Sequence, residues 1–362
     1  MPDPTPRSLF AIVLATGLLG CDSVVPRAAV VAHDADVDLG STRLVGHPDV
    51  PHEAGVNLLW CATFQLAWDR AAARLGDPLQ FAFGTPPLAE RLNRHDVAPG
   101  DLDDASYVAL AGLGEEGIDA AIRDELARKF GDVDTALLPD ETAPTDLLAY
   151  AYLQKSLSFA EPLLIDVETL KFAGVPVRTF GVRHEAGAEE HWSEVSRQVA
   201  ILDFVDDTEF VVELETESPA DRLVLARVPP AETLAETIAE VIRRAGTETI
   251  ERLRHDDTFL APVIDFDVTR RFRELEGHLA REKQEFLLYA ALQRVRFRLD
   301  ERGATLESEA VMKFLSADMG KPRRLALDGP FLVLMLREGA ARPYFALWIE
   351  TPELLIPADS GK

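Results

Sequence analysis

A regularly alternating stretch, VRFRLDERG, occupies residues 295–303. Its apolar residues fall at every second position, which is the period of a β-strand that buries one face and exposes the other. The strand pattern begins at Leu288 and runs to Leu299. Gly303 ends it and can adopt backbone angles that are closed to other residues. The stretch therefore predicts a strand over 288–299 that leads into a hinge.

The residues after Gly303 continue to alternate, and three interpretations of them stay open. As an inserting strand, residues 304–314 would place every second side chain on the buried face: Ala304, Leu306, Ser308, Ala310, Met312 and Phe314. Burial of Leu306, Met312 and Phe314 would each contribute about 1.5–3 kcal/mol to the stability of the inserted form. A shift by one residue would instead bury Glu307 and Glu309 without partners. The other two interpretations are a strand that is already paired and a helix capped by Thr305.

Other periodic stretches predict helices early in the chain and strands later. Helices are expected at 55–75 and 117–130, short helices within 86–112, and later helices at 231–244 (with 248–254 as an alternative continuation) and 269–279. Strands are expected at 147–155, 174–182, 198–204, 208–214 and 259–266, and a hairpin at 331–336 with 344–349. This order predicts an α+β domain.

The charge of the chain excludes several classes of partner. The 362 residues carry a net charge of −25, and 47% of them are hydrophobic, as in a folded globular protein. A polyanion repels phosphate backbones, so we expect no nucleic-acid binding. It also repels anionic lipid surfaces, so a membrane location needs a covalent or inserted anchor.

The N-terminal residues predict such an anchor. Arg7 precedes an apolar run from Leu9 to Leu19, which is too short to span a bilayer but fits the core of a signal peptide. The run ends in Leu-Gly-Cys at Cys21, which resembles a bacterial lipobox. An ordinary cleaved signal peptide is the alternative. Lipidation of Cys21 would place the protein at the cell envelope or the extracellular face, anchored to a membrane.

The same reading divides the chain into three parts. Residues 1–20 are expected to be a lipoprotein signal peptide, residues 21–53 a flexible tether that contains several Pro and Gly residues, and residues 54–357 a folded domain. Cys61 then has no cysteine partner, and its apolar neighbours predict a buried thiol. Neither a disulfide framework nor a zinc cluster can be built from these cysteines.

Motifs for enzymatic or metal chemistry are incomplete. G-x-S-x-G, H-E-x-x-H and phosphate-binding glycine loops do not occur in the sequence. A solvated turn explains the residue pairs at 184–185 and 190–191 (His184, Glu185, Glu190 and His191) better than a metal site does. Residues 34–45 resemble a calcium loop but have Leu39 and Val45 where that loop needs Gly and Glu. We therefore expect a protein that is not an enzyme and has no cofactor.

From Leu148 onward, the order of four stretches resembles that of the serpin family. Residues 148–163 (LAYAYLQKSLSFAEPL) resemble a strand of the family's central sheet, including Lys155. The other three resemblances are the paired strands at 198–204 and 211–214, a strand and helix at 262–266 and 272–277, and the strand, hinge and closing hairpin at 295–303, 330–335 and 344–352. Tyr150, Phe159 and Gln293 stand where the family has Asn, Trp and His.

The resemblance implies a serpin-like α+β fold with a large central β-sheet, smaller sheets and N-terminal helices packed around them. The central sheet would contain residues 148–157 and 288–299. A reactive loop would span about 303–329. Its hinge would comprise Glu301, Gly303, Ala304, Thr305 and Leu306, and its scissile region Ala317, Asp318 and Met319. Basic residues close by are the alternative if the register differs, namely Lys321, Arg323 and Arg324.

Serpin inhibitors act by inserting the cleaved loop into the central sheet, which distorts the attached protease. The expected partner is thus an extracytoplasmic serine or cysteine protease. A non-inhibitory binding or structural lipoprotein of the cell envelope on the same scaffold is the alternative. The face formed by Arg294, Arg296 and Arg298 is expected to be solvated or ion-paired, with anion binding as the other option.

Overall fold

The computed structural model describes residues 40–184, 189–246, 250–281, 285–302 and 322–358. The helices are α1 (Thr63–Leu75), α2 (Pro87–Leu92), α3 (Ile118–Phe130), α4 (Glu189–Val195) and α5 (Leu234–Ala245). The strands are β1 (Thr42–Val45), β2 (Asn57–Cys61), β3 (Tyr107–Leu113), β4 (Leu147–Leu153), β5 (Leu164–Ile165), β6 (Leu170–Phe172), β7 (Val175–Val177), β8 (Thr179–Arg183), β9 (Val199–Asp206), β10 (Glu209–Leu214), β11 (Asp221–Arg227), β12 (Glu251–Arg252), β13 (Thr258–Pro262), β14 (Ile264–Arg271), β15 (Leu279–Arg281), β16 (Glu285–Leu287), β17 (Leu292–Leu299), β18 (Arg324–Ala326), β19 (Phe331–Arg337) and β20 (Pro343–Ile349).

The largest sheet has eight strands in the order β1-β2-β20-β19-β11-β10-β9-β12. β1 and β2 are parallel, and the other neighbours are antiparallel. The hairpin of β19 and β20 lies in its middle, as the sequence predicts, and every residue of β20 is buried. Strands that are covered on both faces have continuous apolar runs, which explains the sequence FLVLML in β19.

A four-stranded sheet has the order β18-β13-β8-β5. β18 runs parallel to β13, and the other pairs are antiparallel. Gly181 on β8 lies so close to β13 that a Cβ built there would be 2.0 Å from the carbonyl oxygen of Phe259. Only glycine permits this approach of the two strands.

Four further strands form two separate ladders, β3 with β4 and β14 with β17, and two short hairpins complete the fold, β6 with β7 and β15 with β16. The expected α+β class, with one large sheet and several smaller ones, is confirmed. The composition of the large sheet differs from expectation. Residues 147–153 and 292–299 lie in the two ladders, and within the described ranges they are not hydrogen-bonded into one sheet.

Tertiary pairing overrides the helical period in the first predicted helix. The helix over 55–75 begins only at Thr63, because residues 57–61 form β2 between β1 and β20. A short apolar run has no period that distinguishes a buried strand from a helix. Residues 42–45, which fall within the predicted tether, pair with β2 as β1. The helix predicted at 117–130 is confirmed.

Three other local predictions are wrong for the same reason. Residues 107–113 pair with β4 along their whole length instead of forming a short helix. The helix predicted at 269–279 is absent, because β14 continues to Arg271 opposite Leu292 of β17. Residues 251–252 form β12 and do not continue α5. Strand β11, which has no polar alternation, was not predicted.

Asn57 closes the end of the large sheet. Its side-chain oxygen accepts the backbone N–H groups of Glu350 and Thr351 at 2.7 and 2.8 Å. Its amide donates to the hydroxyls of Thr42 and Thr351 at 3.0 and 2.9 Å. The residue is fully buried, so the two backbone N–H groups depend on it for an acceptor, whereas the two hydroxyls also contact Glu353 and Ser41.

We expect Asn57→Leu to lower the free energy of unfolding by about 3 kcal/mol, because two buried N–H groups lose their acceptor. Urea denaturation measures the change. Gln80→Leu, which alters an exposed amide, is the matched control and should change the free energy by less than about 0.5 kcal/mol. Equal effects of the two substitutions would show that the network is not important for stability.

Candidate functional site

The predicted reactive loop falls largely outside the described residues. Gly303, Ala304, Thr305 and Leu306 of the hinge lie there, as does the scissile region of Ala317, Asp318 and Met319; so do Cys21 and Lys321. The structure describes the two ends of the loop, at Glu301 and Arg302 on one side and from residue 322 on the other. The site is therefore built from these ends and the strands beside them.

Hydrogen bonds hold the N-terminal end of the loop in place as far as Arg302. The carbonyl oxygen of Glu301 accepts the backbone N–H of Leu163 at 2.8 Å. The backbone N–H of Arg302 donates to Oδ1 of Asp300 at 3.0 Å. These bonds extend the order of β17 past its last ladder residue as far as Arg302.

The C-terminal end is held by a buried ion pair. Nε and Nη2 of Arg323 donate to Oδ2 of Asp257 at 2.9 and 2.7 Å, and its backbone N–H donates to Oδ1 at 2.7 Å. Nη1 donates to Glu251 at 2.6 Å. The Arg323 and Asp257 side chains are 6% and 0% exposed. Burial lowers the pKa of Arg323, but the two carboxylates more than compensate and hold it above its usual value.

This pairing corrects one alternative drawn from the sequence. Arg323 is buried, and Arg324 is the first residue of β18 and forms ion pairs with Glu168 and Asp328. A protease needs an exposed, extended residue at the cleaved bond. Arg323 is almost fully buried, and the backbone of Arg324 pairs with Thr258 of β13, so neither residue is free to enter a protease cleft in this structure.

The two ladders next to the loop are joined by a carboxylate. Helix α3 packs on the ladder of β3 and β4 through Ile118, Ile122 and Leu126, with Tyr150 and Tyr152 of β4 packed against the same cluster. The segment after α3 then reaches β17, and the carboxylate of Asp134 accepts from Arg294 at 2.8 Å and from Arg296 at 3.3 Å. We call this contact the Asp134 bridge. It connects the α3 side of one ladder to the other ladder.

Charge pairing satisfies the arginine face of β17. Arg294 and Arg296 both donate to the buried carboxylate of Asp267 on β14, at 2.6–3.0 Å. Arg298 contacts Asp300 and Asp265. Burial raises the pKa of Asp267, but the hydrogen bonds from the two arginines outweigh it and the pKa lies below its usual value. The ion-paired interpretation of this face is therefore correct.

Lys155, which the family resemblance indicates, belongs to a buried network. Its ammonium group donates to Oδ2 of Asp221 at 2.8 Å, and the hydroxyl of Tyr344 donates to Oδ1 at 3.1 Å. Ser218 also donates to Asp221. Burial and the Asp221 charge both raise the pKa of Tyr344, which keeps it a hydrogen-bond donor. The network fixes the chain just beyond β4 to β11 and β20.

The two residues that depart from the family pattern beside the ladders have separate environments. Gln293 donates from Nε2 to the carbonyl oxygen of Cys61 at 3.0 Å and to Thr63 at 2.9 Å. Its Oε1 is buried and has no hydrogen-bond partner in the part of the chain that the structure describes.

Burial raises the pKa of Tyr150 to about 12. As predicted, Cys61 is buried, which raises the pKa of its thiol.

Of the two histidines considered for metal binding, His184 forms aromatic contacts with His255 and Trp192. The rings of His184 and His255 lie 3.5 Å apart between centroids, and Trp192 meets His184 edge-on at 5.8 Å. No group of three His, Cys, Asp or Glu side chains able to hold a metal ion occurs among the residues with described placement. In the same residues, no helix is both long enough and apolar enough to cross a membrane.

The Asp267 cluster makes the stability depend on pH. The folded pKa of Asp267 is depressed, so its contribution is complete above the unfolded value of about 3.9 and is lost as the pH falls through the folded value. We expect the difference in unfolding free energy between the wild type and Asp267→Asn to be constant above about pH 5 and to shrink in stronger acid. Urea denaturation from pH 2 to pH 7 measures it.

Asp124→Asn on α3, at an exposed position, is the control and should leave the pH profile of the wild type unchanged. A wild-type advantage over Asp267→Asn that stays the same at every pH would show that the carboxylate charge does not stabilise the ladder of β14 and β17.

Comparison with known proteins finds no match among protein-family models and none among curated proteins. Among solved structures, the chain is similar to Serpin48, a highly specific serpin of the insect Tenebrio molitor. The two share 13% sequence identity and a TM-score of 0.44, over 83% of this chain and 92% of that chain.

Proposed function

We propose that this chain is an exported, lipid-anchored protein and a serpin-like protease inhibitor that acts through the loop at about 303–329. The observation that supports it most directly is the pair of ladders beside the loop. In the described residues, β4 pairs only with β3 and β17 pairs only with β14, so each has an edge without a strand partner. The proposed loop follows β17 directly in the sequence.

In the proposed arrangement the unpaired edges of β4 and β17 face each other, and a strand inserted between them would pair with both. Unpaired N–H and C=O groups along a strand edge favour the addition of a further strand. The first residues of the loop have the alternation that such a strand needs. With Leu306, Met312 and Phe314 facing inward, each buries apolar area worth about 1.5–3 kcal/mol. Insertion would therefore be favourable once the segment is free to move.

Cleavage supplies that freedom. The uncut loop is attached at Arg302 on one side and, through the buried pair with Asp257, at Arg323 on the other. Attack by a protease nucleophile near Ala317, Asp318 or Met319 breaks one peptide bond, leaves the new acyl end on the protease and releases the following amine. The acylated segment is then joined to the body only through β17, and its insertion would carry the protease with it.

The alternative is a non-inhibitory binding or structural lipoprotein on the same scaffold. The Asp134 bridge favours it, because the ion pairs with Arg294 and Arg296 oppose separation of the two ladders. The hinge sequence favours it too, since Leu306, Glu307 and Glu309 are larger than the small residues that family inhibitors have there. Both candidates predict cutting of the exposed loop, but only the inhibitor predicts a covalent complex.

The register of insertion provides the test. Wild-type protein is incubated with a panel of serine and cysteine proteases and analysed for complexes that survive SDS, with mass spectrometry of the cut. We expect a complex cleaved near residues 317–319. Ala310→Arg would place an unpaired charge on the inward face, at a cost of several kcal/mol, so it should reduce the fraction in complex about tenfold or more.

Val311→Arg is the matched control, because it makes the same change of charge one residue away on the outward face. It should retain the complex and the rise in thermal stability that follows insertion. Equal loss in both variants would refute insertion in this register. Cutting by several proteases with no complex from the wild type would refute inhibition and support the non-inhibitory lipoprotein.

Lipidation of Cys21 is the second part of the proposal, and it rests on the apolar run and the Leu-Gly-Cys ending of the leader. In a bacterial host that processes lipoproteins, the wild type should incorporate labelled palmitate and partition into the detergent phase. Cys21→Ser should do neither, and Cys61→Ser should behave as the wild type. Label that persists in Cys21→Ser would contradict the anchor.

A further inference from the structure

A cavity of about 470 Å³ lies where β1, the turn after it, α2 and the end of β14 meet. Its volume is within the range of small-molecule sites, roughly 300–1,000 Å³. It is remote in sequence from the loop and shares none of the residues of the inhibitory site described above. The cavity combines an apolar floor with a charged rim, and the two parts are considered in turn.

The floor is apolar and is left open by a glycine. Val45, Val50 and Leu88 line it together with Pro87. A Cβ built on Gly46 would lie 3.0 Å from Cδ1 of Leu88 and 3.3 Å from the ring of Phe272. Because position 46 has no side chain, the surface of Leu88 remains accessible from the cavity.

The rim carries three guanidinium groups, from Arg43, Arg91 and Arg270, against two carboxylates in the lining, Asp49 and Glu274. A lining with more positive than negative groups contrasts with the net charge of −25 for the whole chain. Each guanidinium is paired with one carboxylate, so an anion that most of this protein repels would meet less repulsion at this rim.

The three arginines differ in how many of their guanidinium N–H groups donate a hydrogen bond. Arg43 donates two N–H groups to Glu53, which lies outside the lining. Arg270 donates to the carbonyl oxygen of Leu44 and to Glu274. Arg91 donates one N–H group, to Asp49, and its other donors have no partner in the described part of the chain. A guanidinium with free donors suits a carboxylate or phosphate, which accepts two parallel hydrogen bonds.

A histidine supplies the second polar group. His47 lines the cavity, and its Nδ1 is buried without a hydrogen-bond partner among the residues that the structure describes. Buried polar atoms of this kind are rare in folded proteins and need a partner from elsewhere. Burial lowers the pKa of His47, with Arg91 contributing, so the ring is neutral near pH 7 and offers one donor and one acceptor nitrogen.

We propose that this cavity binds a small amphiphilic anion, with its carboxylate or phosphate headgroup on Arg91 and His47 and its short apolar body on Val45 and Leu88. The headgroup supplies the hydrogen bonds that both side chains lack. The apolar body covers the floor that Gly46 leaves open. The site needs neither loop insertion nor lipidation, so its test is independent of the proposed function.

The test uses the full-length chain with Cys21→Ser, so that no acyl group of its own enters the measurement. Octyl phosphate, octanoate, inorganic phosphate and octanol are titrated by calorimetry, and each is checked by its shift of the thermal midpoint. We expect the two amphiphilic anions to bind at least tenfold more tightly than inorganic phosphate, which lacks the apolar body, and than octanol, which lacks the charge.

Two substitutions locate the site. Arg91→Gln and His47→Phe should each weaken octyl phosphate binding at least tenfold, while Arg128→Gln, an exposed arginine paired with Glu125 on α3, should leave it unchanged. Circular dichroism confirms that each variant folds. Octyl phosphate that binds equally to all variants, or no more tightly than octanol, would overturn the proposal, as would the absence of binding by both anions.

Discussion

The pairing of strand edges is the constraint on which the rest of this structure depends. Backbone N–H and C=O groups that leave water need partners, and eight strands meet this need in one large sheet whose middle is fully buried. β4 and β17 meet it on one side only within the described residues. The chain leaves β17 close to that unpaired edge and continues with a segment of strand-like alternation. One physical requirement therefore connects the fold to the proposed loop insertion.

Two ion-pair contacts of unequal strength determine which part of the structure around the loop would separate first during the proposed insertion. Arg323 and Asp257 are almost fully buried, and loss of one partner in such a pair costs about 3–5 kcal/mol. In the Asp134 bridge, Asp134 and Arg296 are each about half exposed and Arg294 is 25% exposed. Water reaches these contacts, and partly exposed ion pairs contribute about 0–1 kcal/mol each. The Asp134 bridge is thus the weaker connection. Separation of the two ladders would break it well before the C-terminal end of the loop came free.

Patterns that are local in sequence predict about half of the strands but not the order in which they pair within the sheets. The closing hairpin, α3 and the strand before the hinge follow from periodicity and turn residues alone. The apolar run Leu58-Leu59-Trp60 predicts the start of a helix, because it has no polar position that would mark the period of a strand. Its pairing with β1 and β20 makes it the strand β2. β14 likewise continues past residue 269 because β17 lies opposite it.

In the candidate site, too, local features can be predicted from the sequence and long-range contacts cannot. Its alternating segment can be read from consecutive residues, whereas the partners that hold its surroundings are distant: Asp221 lies 66 positions from Lys155, and Asp257 lies 66 positions from Arg323. A basic residue near a cleavage site looks accessible until such a partner is known, which is why Arg323 stayed an alternative at the level of sequence. The frame thus depends on residues on either side of positions 303–321. Substitutions within that segment alter the proposed insertion without removing any of the described contacts that hold the frame together.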